Sequence, residues 1–187
     1  MGIIELLLIA LGVSMDAFAV ALCKGLGMKR FRPRNAGIIA LFFGVFQAAM
    51  PLLGWLLGRQ FESYITAIDH WLAFGLLGLI GGKMLYEAFS AEDCPVDSGE
   101  TINYKRLVVL AIATSIDALA VGITFAFLQV RILPAVLFVG LITLGVSFLG
   151  VYVGHRFGAK LKQKAELMGG LVLIGIGTKI LIEHTML

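Results

Sequence analysis

A seven-residue pattern containing an aspartate occurs twice in this sequence, and both copies lie inside long apolar runs. Residues 14–20 read SMDAFAV and residues 115–121 read SIDALAV, so each copy has the form S-x-D-A-x-A-V. A carboxylate at membrane depth costs about 2.5–3.5 kcal/mol on insertion scales, and such residues usually mark functional sites. Because Asp16 and Asp117 stand in matching frames, we predict that the pair forms the functional centre.

Oxygen-bearing side chains near the aspartates extend this candidate site. Ser14 and Ser115 precede the aspartates by two positions, so they would reach an ion only where the helix is unwound. Otherwise they hydrogen-bond to their own helix. Gln47 and Thr143 occupy matched positions in the second and fifth apolar runs, where they would either bind an ion or join two helices. The predicted metal ligands are Asp16, Asp117, Ser14, Ser115, Gln47 and Thr143.

The chemistry of these ligands restricts the ion that they would bind. Carboxylate, hydroxyl and amide oxygens form a hard site, which suits Mg²⁺, Ca²⁺ or Mn²⁺ and does not favour copper(I) or zinc. Two carboxylates also neutralise the charge of a divalent ion, which removes most of the cost of holding it in a membrane. The residues alone therefore indicate a divalent cation that prefers oxygen ligands.

The composition predicts a membrane protein. Of the 187 residues, 59% are hydrophobic and 14% are charged, whereas soluble domains are about 45–50% apolar and about 25% charged. The apolar residues form blocks long enough to cross a bilayer, which takes about 20 residues per helix. Helices satisfy their own backbone hydrogen bonds in lipid, so we predict an all-α integral membrane protein. The net charge of +3 comes from loop residues and indicates orientation rather than nucleic-acid binding.

Six transmembrane helices are predicted, and they fall into two similar halves. Glycines, polar residues and the aspartate motif recur at matching spacings, which predicts two three-helix repeats over residues 1–89 and 107–187. A polar, acidic linker over residues 90–106 joins them. The predicted helices are approximately Ile3–Leu22, Ala36–Leu57, Trp71–Ala88, Leu107–Leu128, Leu133–Val153 and Ala165–Ile182.

Loop charges predict the orientation of these helices. An odd number of helices in each half makes the second repeat enter the membrane from the opposite side, so the repeats are inverted. The first and fifth loops are strongly basic, and they fall on the same side of a six-helix path. Because cytoplasmic loops carry an excess of lysine and arginine, these loops and the linker are predicted to be cytoplasmic and both termini external.

Two further sets of residues carry structural predictions. Lys83 with Glu87, and Lys179 with Glu183, are spaced for ion pairs or for snorkelling toward helix ends, and we predict that they lie away from the transport pathway. Glycines spaced four apart at 54 and 58, 150 and 154, and 78 and 82 predict faces for close helix crossing.

Several segments resemble the MntP-type manganese efflux pumps. They are the two aspartate motifs, the F-x-x-x-x-P-x-x-G-W segment at Phe46–Trp55, and GGLVLIGIG at Gly169–Gly177. The similarity covers essentially the whole chain. It implies a transporter of the bacterial inner membrane that exports Mn²⁺ by alternating access, with Asp16 and Asp117 as the motif aspartates. Mn²⁺ would be the transported substrate, with no cofactor and no enzymatic activity.

Other functions remain open from the residues alone. The aspartate pair would also suit a proton-coupled exporter of another divalent cation or small solute. An intramembrane aspartyl protease uses two membrane aspartates as well, but its Y-D and G-x-G-D contexts are absent from this sequence. A non-transporting scaffold would leave the aspartates unexplained. No P-loop motif is present, and the pattern is compatible with a homo-oligomer.

Overall fold

The computed structural model describes residues 3–28, 30–65, 69–89 and 102–157, together with residues 167, 170–176, 178, 179 and 182. Over these residues every regular element is helical, which confirms the predicted all-α class. Residues 170–176 are helical as well. The six longer helices are α1 (Ile3–Leu26), α2 (Pro33–Ile65), α3 (Asp69–Phe89), α4 (Tyr104–Thr114), α5 (Ile116–Phe127) and α6 (Ile132–Phe157).

Four stretches of the described chain are long and apolar enough to cross a membrane, so the protein is a multi-pass membrane protein. They correspond to the first, second, fourth and fifth predicted helices. Where the third was predicted, α3 contains a shorter apolar helix, Phe74–Lys83. Seven of the eighteen residues of the sixth predicted helix, and all of linker residues 90–101, lie outside the described residues. The four stretches are Ile3–Leu26, Pro33–Gln60, Tyr104–Phe127 and Ile132–Arg156.

Local sequence explains where several helices begin and end. Pro33 starts α2, where the lack of an N–H costs nothing and the fixed φ favours helix. Asn103 caps α4, since its side chain accepts a hydrogen bond from the backbone N–H of Arg106. After α5 the chain turns at Gln129, whose φ of 50° places it in the left-handed region. The N–H of Val130 bonds to the carbonyl of Phe125 there, which closes a Schellman turn.

The fourth predicted helix is not continuous, and this corrects the prediction of one helix over Leu107–Leu128. The helix is interrupted at Ser115, which ends α4 and begins α5 with φ −99° and ψ 0°. Its backbone N–H bonds to Ile112 rather than continuing the α-helical pattern. The equivalent position in the first half, Ser14, lies inside the unbroken helix α1. The two copies of the motif therefore have different backbone conformations.

Apolar side chains pack in two separate clusters along the helices. The first cluster joins one end of α1 to α3, α5, α6 and residues 170–176, and the second joins the other end of α1 to α2, α4 and α6. The first cluster comprises Ile9, Val13, Leu77, Ile80, Ala118, Val121, Phe125, Ile132, Ala135, Val136, Leu173 and Ile176. The second cluster comprises Ala17, Ala21, Ala36, Ile39, Phe43, Leu107, Ala111 and Val151.

Glycines allow the main helix pairs, α1 with α6 and α2 with both α5 and α6, to approach closely. A Cβ atom added at Gly54 would lie 2.0 Å from the carbonyl oxygen of Leu119, and one at Gly154 would lie 2.0 Å from that of Leu22. These contacts confirm crossing faces at two of the predicted glycine pairs. At the pair 78 and 82 no crossing face is found within the described residues, none of which has an atom within 4 Å of an added Cβ at either position.

Candidate cation site

The two motif aspartates are both buried, although they reach the interior from different backbone settings. Asp16 lies near the middle of α1 with 8% of its surface exposed, and Asp117 lies in the first turn of α5 with 6% exposed. The N-terminus of a helix carries a partial positive charge, and the carboxylate of Asp117 belongs to that first turn. The break at Ser115 therefore supplies Asp117 with a helix terminus that Asp16 lacks.

One lysine brings the two aspartates together. The Nζ atom of Lys83 in α3 donates a hydrogen bond to Oδ2 of Asp117 at 2.9 Å and lies 3.8 Å from Oδ2 of Asp16. The lysine side chain is 40% exposed, whereas both carboxylates are almost fully enclosed. Because a single ammonium group contacts both carboxylates, the aspartates lie close enough for one cation to bind between them.

The position of Lys83 beside both motif aspartates differs from the prediction that it lies toward a helix end, away from the pathway. Its predicted pairing with Glu87 stays a prediction. Lys83 is an ion-pair partner of the motif aspartates, and the side chain of Glu87 lies outside the described residues. Its equivalent in the second half, Lys179, forms an ion pair with Glu5 in the first turn of α1. A lysine directly after two glycines in an apolar helix was the sequence signal, since a charge at that depth needs a partner.

Gln47 and Ser115 connect three helices beside the aspartates. The Gln47 side chain in α2 donates through Nε2 to the backbone carbonyl of Val13 in α1 at 2.9 Å. The Ser115 hydroxyl donates to Oε1 of the same glutamine at 2.9 Å. Both side chains are fully buried. The interhelical hydrogen bonds expected as one alternative for Gln47 are therefore present, and they reach both copies of the motif.

The remaining two predicted ligands bond within their own helices. The Ser14 hydroxyl donates to carbonyls of the preceding turn of α1, and the Thr143 hydroxyl donates to the carbonyl of Val139 at 2.9 Å. A hydroxyl that donates its proton still has lone pairs on its oxygen, so these contacts leave acceptor capacity. The structure thus joins the two aspartates through Lys83 and joins Gln47 to Ser115, while Ser14 and Thr143 bond locally.

Ser147 is a buried polar residue that the sequence analysis did not select. It is fully enclosed in α6, one turn beyond Thr143, and within the described part of the chain its hydroxyl has no hydrogen-bond partner. Buried hydroxyls are normally satisfied, so this one has unused hydrogen-bonding capacity. Its signal in the sequence was only a serine in an apolar helix, which is usually satisfied by its own backbone.

The polar residues form a layer between the two apolar clusters. Along α1, Asp16 lies between Val13 of the first cluster and Ala17 of the second. Along the third membrane stretch, Tyr104–Phe127, the order is reversed: Ser115 and Asp117 lie between Ala111 of the second cluster and Ala118 of the first. Buried apolar side chains lie on both sides of this layer, and charge interactions are stronger in an apolar setting than in water.

The arrangement can bind a cation through carboxylates without a preformed multidentate cage. When ionised, the two carboxylates carry one negative charge more than the single ammonium group balances. Among the residues that the structure describes, no group of three or more histidine, cysteine, aspartate or glutamate side chains could hold a metal. Further ligands would have to be neutral oxygens. Such a limited set suits an ion that binds and is then released.

Comparison with known proteins gives one consistent result. Residues 30–181 match the family model described as "Putative manganese efflux pump". Similar proteins carrying that description and the name MntP include one from Acetivibrio thermocellus, 60% identical over 98% of this chain and 92% of that protein. One from Mannheimia succiniciproducens is 54% identical over 100% of this chain and 99% of that protein. One from Desulfitobacterium hafniense is 58% identical over 98% of this chain and 96% of that protein. No solved structure matches.

Proposed function

The chain belongs to the MntP family of manganese efflux pumps, and on this premise we propose that it exports Mn²⁺ from the cytoplasm across the bacterial inner membrane. The family is one of transporters, so Mn²⁺ is a substrate rather than a cofactor, and the intramembrane protease is set aside. The observation that carries the proposal is the contact of buried Asp16 and Asp117 with the same ammonium group. A pair that binds one cation has the geometry to bind another.

The proposed ligands are the two aspartate carboxylates, helped by the neutral oxygens of Gln47 and Ser115 that border them. Mn²⁺ prefers such oxygen ligands, and two carboxylates balance its charge. Ser14 and Thr143 are proposed to join through the unused lone pairs of their hydroxyls, since both are fully buried. The pH dependence follows from competition: protons and Mn²⁺ share the same carboxylates, so Mn²⁺ binds more weakly as the pH falls.

We propose that residues 1–89 and 107–187 are inverted repeats, with residues 90–106 as the linker. Support comes from contacts that are equivalent in the two halves. Gly44 and Gly140 occupy matched positions, and a Cβ added at either would lie 3.0 Å from the carbonyl oxygen of the other. The motif helix of each half also packs on the second helix of the other half, α1 on α6 and α5 on α2. Reciprocal contacts of this kind are typical of a two-fold relation.

Alternating access is proposed to work through the two apolar clusters. The aspartates lie between them, so separation of one cluster would open the site to one side of the membrane while the other kept it closed. Along α1 the residues of the first cluster precede those of the second, whereas along α4 and α5 the residues of the second cluster come first. Inverted repeats require this reversal. Rocking of one half against the other around a fixed midplane site is the usual motion of such transporters.

The proposed orientation gives a first prediction. With Cys23 and Cys94 replaced by alanine, a single cysteine at Arg32 or Lys162 should resist an impermeant thiol reagent in intact spheroplasts and react after permeabilisation. A cysteine at Leu187 should react without permeabilisation. The basic loops would then be cytoplasmic and the carboxyl terminus external. The control is Mn²⁺ export by the cysteine-free parent, and labelling in the reverse pattern would overturn the orientation.

Uptake by inverted membrane vesicles tests the function itself. Vesicles that contain the protein should accumulate Mn²⁺, because export from the cytoplasm corresponds to entry into an inverted vesicle. Vesicles without the protein provide the background. Parallel measurements with Mg²⁺ and Ca²⁺ test substrate choice, since hard oxygen ligands alone do not separate these ions. If Mn²⁺ uptake equals the background, the proposed function is wrong; if Mg²⁺ or Ca²⁺ is carried instead, the substrate is wrong.

A further inference from the structure

Lys83 occupies the position at which a transported cation would have to bind. Its ammonium nitrogen lies 2.9 Å from Oδ2 of Asp117 and 3.8 Å from Oδ2 of Asp16. We propose that Lys83 is a tethered cation that fills the aspartate pair in the metal-free protein and is displaced when Mn²⁺ binds. This proposal rests on the proposed function of the pair as the metal site, and it assigns the lysine a separate role in the transport cycle.

Charge makes the two cations mutually exclusive. The aspartates with Lys83 carry −1, with Mn²⁺ they would be neutral, and with both they would carry +1 in a buried setting. A Mn²⁺ ion between the aspartates would also lie beside the Asp117 oxygen that Lys83 now contacts at 2.9 Å. A metal ion and an ammonium group that compete for one oxygen repel each other at close range. Binding of Mn²⁺ therefore requires the lysine side chain to leave.

The surroundings of Lys83 allow that movement. Its side chain is 40% exposed, while the carboxylates that it contacts are 8% exposed, so the lysine reaches into the site from a more open region. No atom of the described residues lies within 4 Å of a Cβ added at neighbouring Gly82, or at Gly78 one turn before it. A lysine has four flexible methylene groups and can move its charge without moving its helix.

The consequence concerns the return of the empty transporter. Two ionised carboxylates that face each other in a low dielectric are strongly unfavourable without a counter-charge. Lys83 would supply that charge after Mn²⁺ has left, so the empty protein can change conformation with its aspartates still ionised. The same lysine opposes Mn²⁺ binding, which keeps the affinity low enough for release.

The second half contains a matched control. Lys179 stands at the position equivalent to Lys83, but it pairs with Glu5 at the end of α1 rather than with the motif aspartates. It is 50% exposed. Replacement of Lys179 removes the same functional group from a comparable apolar helix without touching the proposed site. The two lysines can therefore be compared directly.

Mn²⁺ binding to the purified parent, Lys83→Met and Lys179→Met proteins, measured by titration calorimetry, tests the proposal. Methionine keeps the unbranched shape of the lysine stem without its charge. Lys83→Met should bind Mn²⁺ about tenfold more tightly, within the usual range for coupling between two ligands. Its Mn²⁺ transport in proteoliposomes should be roughly tenfold slower, because the metal-free protein would have to change conformation with the charge of its buried aspartates uncompensated. Lys179→Met should match the parent in affinity.

Unchanged or weaker Mn²⁺ affinity in Lys83→Met would overturn the proposal. Replacing a lysine that positions the metal ligands would weaken Mn²⁺ binding, and replacing one distant from the site would leave it unchanged. Should Lys83→Met fail to insert, the parent protein supplies the test. Saturating Mn²⁺ should increase acylation of Lys83 by an amine reagent, measured by mass spectrometry, and leave that of Lys179 unchanged. Equal labelling of Lys83 with and without Mn²⁺ would also overturn it.

Failure of the proposed function gives a different result. If Asp16→Asn and Asp117→Asn proteins bind Mn²⁺ like the parent, the pair is not the metal site and the role of Lys83 falls with it. If those variants lose Mn²⁺ binding while Lys83→Met keeps the parent affinity, the aspartate site stands and only the tethered-cation proposal is wrong.

Discussion

Replacing Asp16 or Asp117 by asparagine is expected to reduce Mn²⁺ export about a hundredfold, because loss of one buried charge partner costs about 3 kcal/mol. Asparagine keeps the shape of the side chain and removes the charge that balances the divalent ion. Glutamate at either position should be almost as harmful, since the extra methylene moves the carboxylate out of the geometry that the site needs. The measurement is Mn²⁺ accumulation in cells that express each variant at matched membrane levels.

Glu5→Gln provides the control for these substitutions. It also neutralises a carboxylate of α1, but Glu5 lies in the first turn of the helix and pairs with Lys179 outside the proposed site. A surface pair of this kind contributes about 0–1 kcal/mol, so export by Glu5→Gln should stay close to that of the parent. Parent-like export by both Asp16→Asn and Asp117→Asn would show that the central claim about the site is wrong.

The second large effect is expected at Gly54. Alanine there would place its Cβ 2.0 Å from the carbonyl oxygen of Leu119, which is backbone and cannot move aside without shifting α5. Forcing a methyl group into such a contact costs about 1–3 kcal/mol or more. Because Asp117 is in the same helix as Leu119, the shift would also disturb the aspartate pair. We expect Gly54→Ala to lower both the thermal stability in detergent and the Mn²⁺ export.

Two other glycines serve as comparisons for the stability effect of Gly54→Ala. At Gly150 an added Cβ would lie 3.0 Å from the nearest atoms of Phe18, so Gly150→Ala should be milder. At Gly37, in the same helix as Gly54, nothing of the described structure lies within 4 Å. Gly37→Ala should therefore be neutral, or stabilising by about 0.5–1 kcal/mol. Equal melting temperatures for the three alanine variants would contradict the close helix crossing.

The sequence was sufficient to predict the four long apolar stretches that the structure describes and the burial of the motif aspartates. Apolar runs of membrane length have few alternatives, since lipid admits only helices and closed barrels. The glycine faces at Gly54 and Gly154 were also predictable, because small residues four apart bring helices together. Burial of Asp16 and Asp117 follows from the same reasoning, as ionisable residues in a membrane avoid lipid.

The sequence did not predict the features that depend on contacts between residues far apart in the chain. Lys83 is four residues before Glu87, and that local spacing indicated a pair within one helix; it gave no sign of the ion pairs that Lys83 forms with aspartates of two other helices. The break at Ser115 was equally hidden, because Ser14 occupies an identical motif and lies in an unbroken helix. Closely similar local sequences adopt different conformations when their tertiary surroundings differ. Hydrogen bonding of Ser115 to Gln47 is one such difference.

The crossing at Gly44 and Gly140 also bears on how easily α2 and α6 can turn against each other. Helices with interdigitated side chains must separate before they rotate, since ridges lie in grooves. At this crossing the backbones meet directly, each glycine facing the carbonyl of the other. The Cβ atoms of Ala48 and Leu144 lie about equally close to this crossing. We expect that few large side chains would have to separate there if α2 turned against α6.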